Sequence, residues 1–244
     1  TDLRTGKIGS LTKLLAKDLR QETTSRTHFT KEEYKHLLSV SRKRYQNGDT
    51  ERVRFDRYRL HQFILFMVGT GLRVESECMK LNWDDIEFID RRNVRSINKE
   101  DTEMKHHDRY FIKINVHNSK VKKTRVAIGM SSAYDSLMNL KKLYAKNDIE
   151  CTGNIWRIAS FRTGLNELLL EANLKTSIHG NTTTTRDSVS FRKTFMCFMI
   201  DRGIHHHEIA KQCGTSIEMI DRFYAVYKTS DNLIDKIIES NSKN

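Results

Sequence analysis

Three segments of the sequence group basic residues where helices or strands are expected to end. Residues 69–73 read GTGLR and place Arg73 after a glycine-rich break. Residues 119–126 read SKVKKTRV, a lysine-rich run between two predicted strands. The third segment reads VSFRKTF at 189–195 and CGTSI at 213–217, and Tyr224 follows it. Guanidinium and ammonium groups placed in this way suit a phosphate or a similar anion.

Each segment has a simpler interpretation when it is taken alone. Arg73 fits a surface arginine of a helix-turn-helix, and the lysine-rich run fits a solvated turn at a hairpin tip. Tyr224 fits a partly buried tyrosine between two packed helices. The segments become specific only through their combination and their order along the chain.

Together, and in this order, the segments resemble the catalytic domain of the tyrosine recombinases, the phage-integrase family. That family has a GxGxR motif ahead of LxWxDI, and this chain has GTGLR and then LNWDDI at 81–86. The family's hairpin motif TKxxKxRxV is similar to SKVKKTRV, and its HxLRxTF and LGHSS motifs are similar to VSFRKTF and CGTSI. The resemblance runs from about Phe29 to Tyr227, which is most of the chain.

The resemblance implies a site-specific DNA recombinase that cleaves and rejoins duplex DNA through a 3′-phosphotyrosyl intermediate. It implies Tyr224 as the nucleophile, Arg73 and Arg192 as ligands of the scissile phosphate, and Lys120 as the general acid. Tyr227, about one helical turn further on, is the rival nucleophile. The reaction needs no metal, nucleotide or other cofactor. The remaining basic residues of these motifs are predicted to bind DNA: Lys122, Lys123, Arg125 and Lys193.

The sequence departs from the family pattern at three places. Val189 and Thr215 stand where the family has histidines. The acidic residue that follows the first arginine is not at its usual spacing, and counting back from Trp83 favours Glu77 over Glu75 as a support for Arg73. An alternative therefore stays open, a DNA-binding accessory protein of the same fold with weak or no cleavage.

The resemblance also implies an assembly and a cellular setting. Such enzymes act as homotetramers on a Holliday junction. A type IB topoisomerase would share the cleavage chemistry, but it would relax supercoiled DNA without recognising a defined DNA sequence. The family's N-terminal core-binding domain is expected to be absent from this chain. A predicted helix at about 231–240 docks either on a neighbouring protomer or on its own chain. A bacterial or phage protein of this kind would be cytoplasmic and nucleoid-associated.

The composition agrees with a nucleic-acid partner. The 43 Lys and Arg outnumber the 31 Asp and Glu, which gives a formal net charge of +12. The four cysteines form no CxxC pair, and neighbouring helical residues such as His205 to His207 point in different directions, so no metal site is predicted. No apolar run approaches the ~20 residues of a membrane span, and no small-molecule substrate is expected.

The hydrophobic pattern predicts a mainly helical chain with a small antiparallel β-sheet, an α+β fold. A capping box from Thr30 to Glu33 opens the first helix, and a second helix ends at the glycine-rich break. A short helix is predicted through Met79 and Leu81. Short strands are predicted at 86–88, 94–97, 110–116 and 124–128, with a charged, mobile loop from Lys99 to Arg109.

Helices are then predicted over the rest of the chain. Their expected ranges are about 131–147, 161–173, 187–202, 205–213, 216–228 and 231–240. A second capping box is predicted from Thr215 to Glu218. Residues 1–27 are polar and basic and are predicted to be a linker or an arm, and 28–244 are predicted to form the catalytic domain.

Overall fold

The structure, a computed structural model, describes residues 26–91, 109–117, 124–179 and 182–221. These residues form a mainly helical fold with a small antiparallel sheet, as the hydrophobic pattern predicts. The elements are α1 (Lys31–Gln46), α2 (Glu51–Thr70), β1 (Ile86–Asp90), β2 (Tyr110–Val116), β3 (Arg125–Gly129), α3 (Ser131–Lys146), α4 (Arg162–Glu171), β4 (Thr176–His179), β5 (Thr182–Thr185), α5 (Ser188–Asp201) and α6 (His206–Cys213).

Local signals in the sequence set the first two helices. Thr30 caps α1 through the predicted capping box, in which its hydroxyl accepts the Glu33 N–H and the Glu33 carboxylate accepts the Thr30 N–H. Thr50 caps α2 by accepting the N–H of Val53. α2 ends at Thr70 with Gly71 in the left-handed conformation, at φ 67°.

α2 is the central helix, and it packs against α1, α3 and α5. Its second half is buried almost without interruption, so it has no polar face to offer to water. Phe63 and Phe66 of α2 contact the ring of Trp156, whose indole N–H donates to the carbonyl of Cys78 at 2.9 Å. This core holds the end of α2, and the turn that follows it, in one place.

Between residues 76 and 109 the structure differs from one prediction and leaves two others outside the described residues. The predicted short helix through Met79 and Leu81 is instead a single 3₁₀ turn, Cys78–Lys80, because Leu81 already has extended backbone. The predicted strand at 94–97 and the loop from Lys99 lie outside the described residues, apart from Arg109. The Arg109 guanidinium donates two hydrogen bonds of 2.9 Å to Asp90 at the end of β1.

The predicted antiparallel sheet has the strand order β1-β2-β3, with Ile114 opposite both Ile86 and Ala127. On β3 the side chains alternate, with Ala127 buried and Val126 and Ile128 exposed. β3 is therefore an edge strand with one face on the core.

The structure also contains a two-stranded hairpin, β4 paired with β5, that was not predicted from the sequence. The signal was present in the sequence, because Gly180-Asn181 separates two short runs that contain β-branched residues, Thr176 to His179 and Thr182 to Thr185. Two such runs joined by a Gly-Asn pair are typical of a tight hairpin.

The predicted helices near 187–202 and 205–213 are confirmed as α5 and α6. A small second core forms where they meet, around Phe195, Ile209 and Cys213. Residues 217–221 are helical, in agreement with the predicted helix at 216–228. The predicted helix at 231–240 and nearly all of the predicted linker lie outside the described residues. Across the described ranges, no helix is both long and apolar enough to cross a membrane.

Candidate active site

The turn after α2 positions Arg73. Gly71 has a left-handed backbone, and a Cβ at this residue would lie 2.3 Å from Cδ1 of Phe195 on α5. Both conditions require glycine, since other residues rarely adopt this backbone and none fits the space. The close approach brings the start of the turn against α5, so that Arg73 and Arg192 come from neighbouring elements.

Glu77 holds Arg73 at both its main chain and its side chain. One carboxylate oxygen of Glu77 accepts the Arg73 N–H at 2.9 Å, and the other lies 2.7 Å from Nη1 of Arg73. The Glu77 side chain is fully buried, whereas Glu75 is exposed. Of the two candidates that flank the family position, Glu77 is the one that contacts Arg73.

Arg125 joins the same carboxylate from β3. Its Nη2 lies 2.7 Å from Oε2 of Glu77, and its side chain is only 15% exposed. Arg125 was predicted to bind DNA, but its position within an arginine cluster was not predicted. The available signal was the alternation of β3, which places Arg125 on the same face as buried Ala127.

The C-terminal end of α6 brings the arginines together. Three successive carbonyls each accept a hydrogen bond from a different arginine: Gln212 from Arg125 at 2.5 Å, Cys213 from Arg192 at 2.7 Å, and Gly214 from Arg73. These carbonyls have no partner within the helix and carry its negative dipole end, so guanidinium groups stabilise them well. The end of α6 is therefore the organising point of the cluster.

α5 supplies Arg192 to the cluster. Its Nη1 donates to the carbonyl of Gly71 at 2.7 Å, which ties α5 to the turn after α2. Burial lowers the pKa of Arg192, and the guanidinium groups of Arg73 and Arg125 act in the same direction. Three guanidinium groups thus face one carboxylate, Glu77, in this cluster. An added anion would be stabilised there.

Val189 lies at the first turn of α5 and is 38% exposed. It lines a cavity of about 720 Å³ together with Val74 and Glu75, the two residues that follow Arg73. The position at which the family has a histidine therefore lines a cavity whose wall also includes the two residues that follow Arg73. The alkyl side chain of Val189 can neither donate a hydrogen bond nor carry a proton.

The polar neighbours of Val189 are engaged within the protein. The Ser190 hydroxyl accepts the Asp187 N–H at 3.2 Å in the capping box that opens α5. The Lys193 ammonium donates to the carbonyl of Arg26, and burial lowers its pKa. Ser190 and Lys193 both lie near Val189 in the sequence, but in the described structure their side chains form hydrogen bonds to main-chain groups.

The second departure, Thr215, follows the end of α6. Its N–H donates to the carbonyl of Ala210 at 2.9 Å, while Gly214 has a left-handed backbone at φ 61°. The hydroxyl that caps the next helix is that of Ser216, which accepts the Met219 N–H at 3.3 Å. The predicted cap at Thr215 is wrong by one residue, because Thr215 still belongs to the turn that closes α6.

Four predicted site residues, Lys120, Lys122, Lys123 and Tyr224, lie outside the described residues. The described elements on either side are β2, which ends at Val116, and β3, which begins at Arg125. Gln212 was not predicted as a site residue, and its side chain contacts both β3 and the end of α2. Nothing in its sequence context distinguishes it from any polar residue of a helix.

Comparison with solved structures gives consistent neighbours. The XerH site-specific recombinase bound to a palindromic difH substrate matches with a TM-score of 0.57 at 14% identity, over 86% of this chain and 52% of that chain. The XerA recombinase matches with a TM-score of 0.55 at 14% identity, over 88% and 65%. The Tn1549 transposon integrase bound to transposon right end DNA matches with a TM-score of 0.53 at 18% identity, over 90% and 67%.

The chain thus spans about half to two thirds of the length of these three proteins. No protein-family model matches the sequence, and no curated protein matches it. The structural matches extend over 86–90% of this chain, and they agree with the motif resemblance in the sequence. The fold of this chain is that of a tyrosine recombinase catalytic domain.

Proposed function

We propose that this chain is the catalytic part of a site-specific tyrosine recombinase that cleaves and rejoins duplex DNA. The observation that carries the proposal is the convergence of Arg73, Arg125 and Arg192 on the end of α6. Two of these arginines, Arg73 and Arg192, stand at the motif positions of the phosphate-binding arginines of the family. The +12 net charge supports a polyanionic partner, and the XerH and Tn1549 neighbours are complexes with DNA.

The chemistry follows from charge. In the proposed step the Tyr224 hydroxyl loses its proton to water, its oxygen forms a bond to the scissile phosphorus, and the bond to the 5′-oxygen breaks. The products are a 3′-phosphotyrosyl ester and a 5′-hydroxyl. The transition state carries extra negative charge on its non-bridging oxygens. Arg73 and Arg192 stabilise that charge, and removing one such donor typically costs on the order of 10²–10³ in rate.

Arg192 keeps N–H donors for a phosphate after its hydrogen bonds within the protein are formed. A guanidinium has five N–H groups, and the described bonds of Arg192 use two of them, to Gly71 and Cys213. The protein contacts thus fix the direction of the guanidinium before DNA arrives. Such preorganisation is what makes a charged donor effective in a transition state.

Lys120 supplies the proton that the departing 5′-oxygen needs. It belongs to the connection between β2 and β3, and β3 contributes Arg125 to the cluster at its first residue. Phosphate binding by Lys122, Lys123 and Lys193 is proposed to hold the duplex. The partners proposed are duplex DNA and three further copies of the chain on a Holliday junction.

A second function, a DNA-binding accessory protein with weak or no cleavage, is favoured by one observation. Val189, which stands where the family has a histidine, lines the cavity with a side chain that cannot donate or transfer a proton. Recombination and accessory binding differ in one product, the covalent protein–DNA complex.

The experiment is covalent capture from a pool of nicked duplexes with randomised sequence, followed by denaturing washes and sequencing of the retained DNA. The nick lets a short cleaved fragment diffuse away, so that religation cannot reverse the cleavage. A recombinase retains DNA with a shared sequence, and a topoisomerase-like enzyme retains DNA without one. Retention of no DNA beyond the Tyr224→Phe level would favour the accessory protein.

A further inference from the structure

The side chain of Gln212 connects three elements of the described structure. It lies in the last turn of α6, and its Nε2 donates to the carbonyl of Thr70 at 2.9 Å and to the carbonyl of Ile128 at 2.7 Å. Its Oε1 accepts the Ile128 N–H at 3.0 Å. Thr70 ends α2, and Ile128 lies in β3. Gln212 therefore ties the end of α6 to both.

The contact with β3 has the form of a strand pairing. β3 is one of the two edge strands of the described sheet, and the Gln212 amide satisfies both the N–H and the C=O of Ile128, as a neighbouring strand would. Only an amide side chain offers a donor and an acceptor in this arrangement, since a glutamate lacks the donor and a methionine lacks both.

The same residue also belongs to the arginine cluster through its main chain. The carbonyl of Gln212 accepts from Arg125, and the next two carbonyls accept from Arg192 and Arg73. One short segment thus holds the arginines with its carbonyls and the hairpin strand with its side chain. A shift of β3 relative to α6 would change the distance between the hairpin and the arginines.

We propose that Gln212 is a positioning residue that fixes the strand β3, which follows Lys120 closely in the sequence, relative to Arg73 and Arg192. The inference rests on the proposed function, in which Lys120 protonates the 5′-oxygen. Gln212 does not touch the substrate in this account. It acts because a general acid must lie within hydrogen-bond reach of the atom that it protonates, and misplacement by ~1 Å costs about 10²-fold in rate.

The test is single-turnover cleavage by Gln212→Met, which keeps the side-chain length but lacks the amide. Two matched substrates are compared, one with the ordinary 5′-bridging oxygen and one with sulfur in its place. A thiolate leaves without a proton, so its departure does not need Lys120. Lys120→Ala is the comparator, and His207→Ala, an exposed change on the same helix, is the control.

We expect Gln212→Met to slow cleavage of the oxygen substrate by about 10- to 100-fold and to cleave the sulfur substrate within a few-fold of the unmutated protein. His207→Ala should leave both rates unchanged. Equal losses on both substrates, or no loss on either, would overturn the proposal, since a merely structural role gives no selective rescue. Gln212→Glu, which keeps only the acceptor for Ile128, should show the same selective defect.

A second measurement separates this inference from the proposed function. Amide hydrogen exchange at Ile128 should be faster in Gln212→Met than in His207→Ala, because the Ile128 N–H loses its acceptor. If the unmutated protein cleaves neither substrate, the proposed function fails. Exchange then still decides whether Gln212 holds the strand, and unchanged exchange at Ile128 would overturn the positioning role.

Discussion

Glu77 and Arg125, which lie 48 positions apart in the sequence, form a 2.7 Å ion pair in which the glutamate side chain is fully buried. The same carboxylate lies 2.7 Å from Nη1 of Arg73. A buried carboxylate is tolerated only when it is paired and hydrogen-bonded. Glu77 meets this condition with two arginines, and it thereby sets the distance between the turn after α2 and the hairpin strand β3.

Replacement of Glu77 by glutamine should destabilise the protein and slow cleavage. Removing one charge from a buried ion pair typically costs about 3–5 kcal/mol, and an amide retains part of the hydrogen bonding, so we expect about 3 kcal/mol. Urea denaturation measures the free energy of unfolding, with the exposed Glu75→Gln as the matched control. Equal effects of the two substitutions would show that Glu77 does not have this role.

Replacement of Lys120 by alanine should abolish cleavage of an ordinary strand and leave cleavage of the 5′-sulfur substrate largely intact. The reason is that the thiolate departs without the proton that Lys120 is proposed to supply. Single-turnover rates on the two substrates measure this difference. A rate that stays low on sulfur would assign Lys120 to phosphate binding instead of proton transfer.

Restoration of both family histidines, Val189→His with Thr215→His, should speed single-turnover cleavage. Val189 is 38% exposed and lines the cavity, so an imidazole has room there and can donate a hydrogen bond. The gain should be smaller than the ~10²–10⁴ of a whole acid–base group, since Arg73 and Arg192 remain in both proteins. A double variant that folds and binds DNA but cleaves no faster would mean that the site already compensates.

Stability should depend on pH through His61, which is buried in α2 with its Nδ1 3.0 Å from the Ser41 hydroxyl. Burial lowers the pKa of His61 from 6.5 to about 4, and Arg42 adds to this shift. His61 is therefore protonated below pH 6.5 in the unfolded chain, but only below about pH 4 in the folded protein.

The free energy of unfolding should thus fall as the pH decreases from 6.5 to 4, by on the order of 3 kcal/mol from this residue. Urea denaturation across this range, compared with His61→Asn, isolates the contribution, since the carboxylates titrate in both proteins. Parallel pH profiles for the two proteins would show that His61 does not titrate differently in the folded and unfolded states.

Much of the fold could be predicted because local signals determine it. The capping box at Thr30 and the glycine at position 71 mark real helix ends, and the alternation along β2 and β3 marks real strands. The β4–β5 hairpin was missed although Gly180-Asn181 signalled it. The N-terminal cap of the helix that begins at residue 217 was predicted at Thr215, whereas Ser216 forms it. Both hydroxyls can accept a hydrogen bond, and the spacing alone does not choose between them.

The site could be predicted only in part, because its assembly depends on contacts between distant segments. The motifs identify Arg73 and Arg192, but no local pattern indicates that Arg125 shares Glu77 with Arg73. The role of Gln212 depends on the approach of α6 to β3, which only the folded chain reveals. Hydrophobic periodicity specifies which faces are buried, but not which polar groups meet across them.

The most direct test of the central claim is to identify the residue that becomes covalently joined to DNA. The protein is incubated with a nicked duplex recovered from the capture experiment, and the adduct is digested and analysed by mass spectrometry, with Tyr224→Phe and Tyr227→Phe as companions. We predict a phosphotyrosyl ester on Tyr224, its loss in Tyr224→Phe with DNA affinity retained, and its persistence in Tyr227→Phe. DNA affinity should survive because phosphate contacts from Arg and Lys dominate binding. An adduct that persists in Tyr224→Phe, or no adduct in any of the three proteins, would contradict the account.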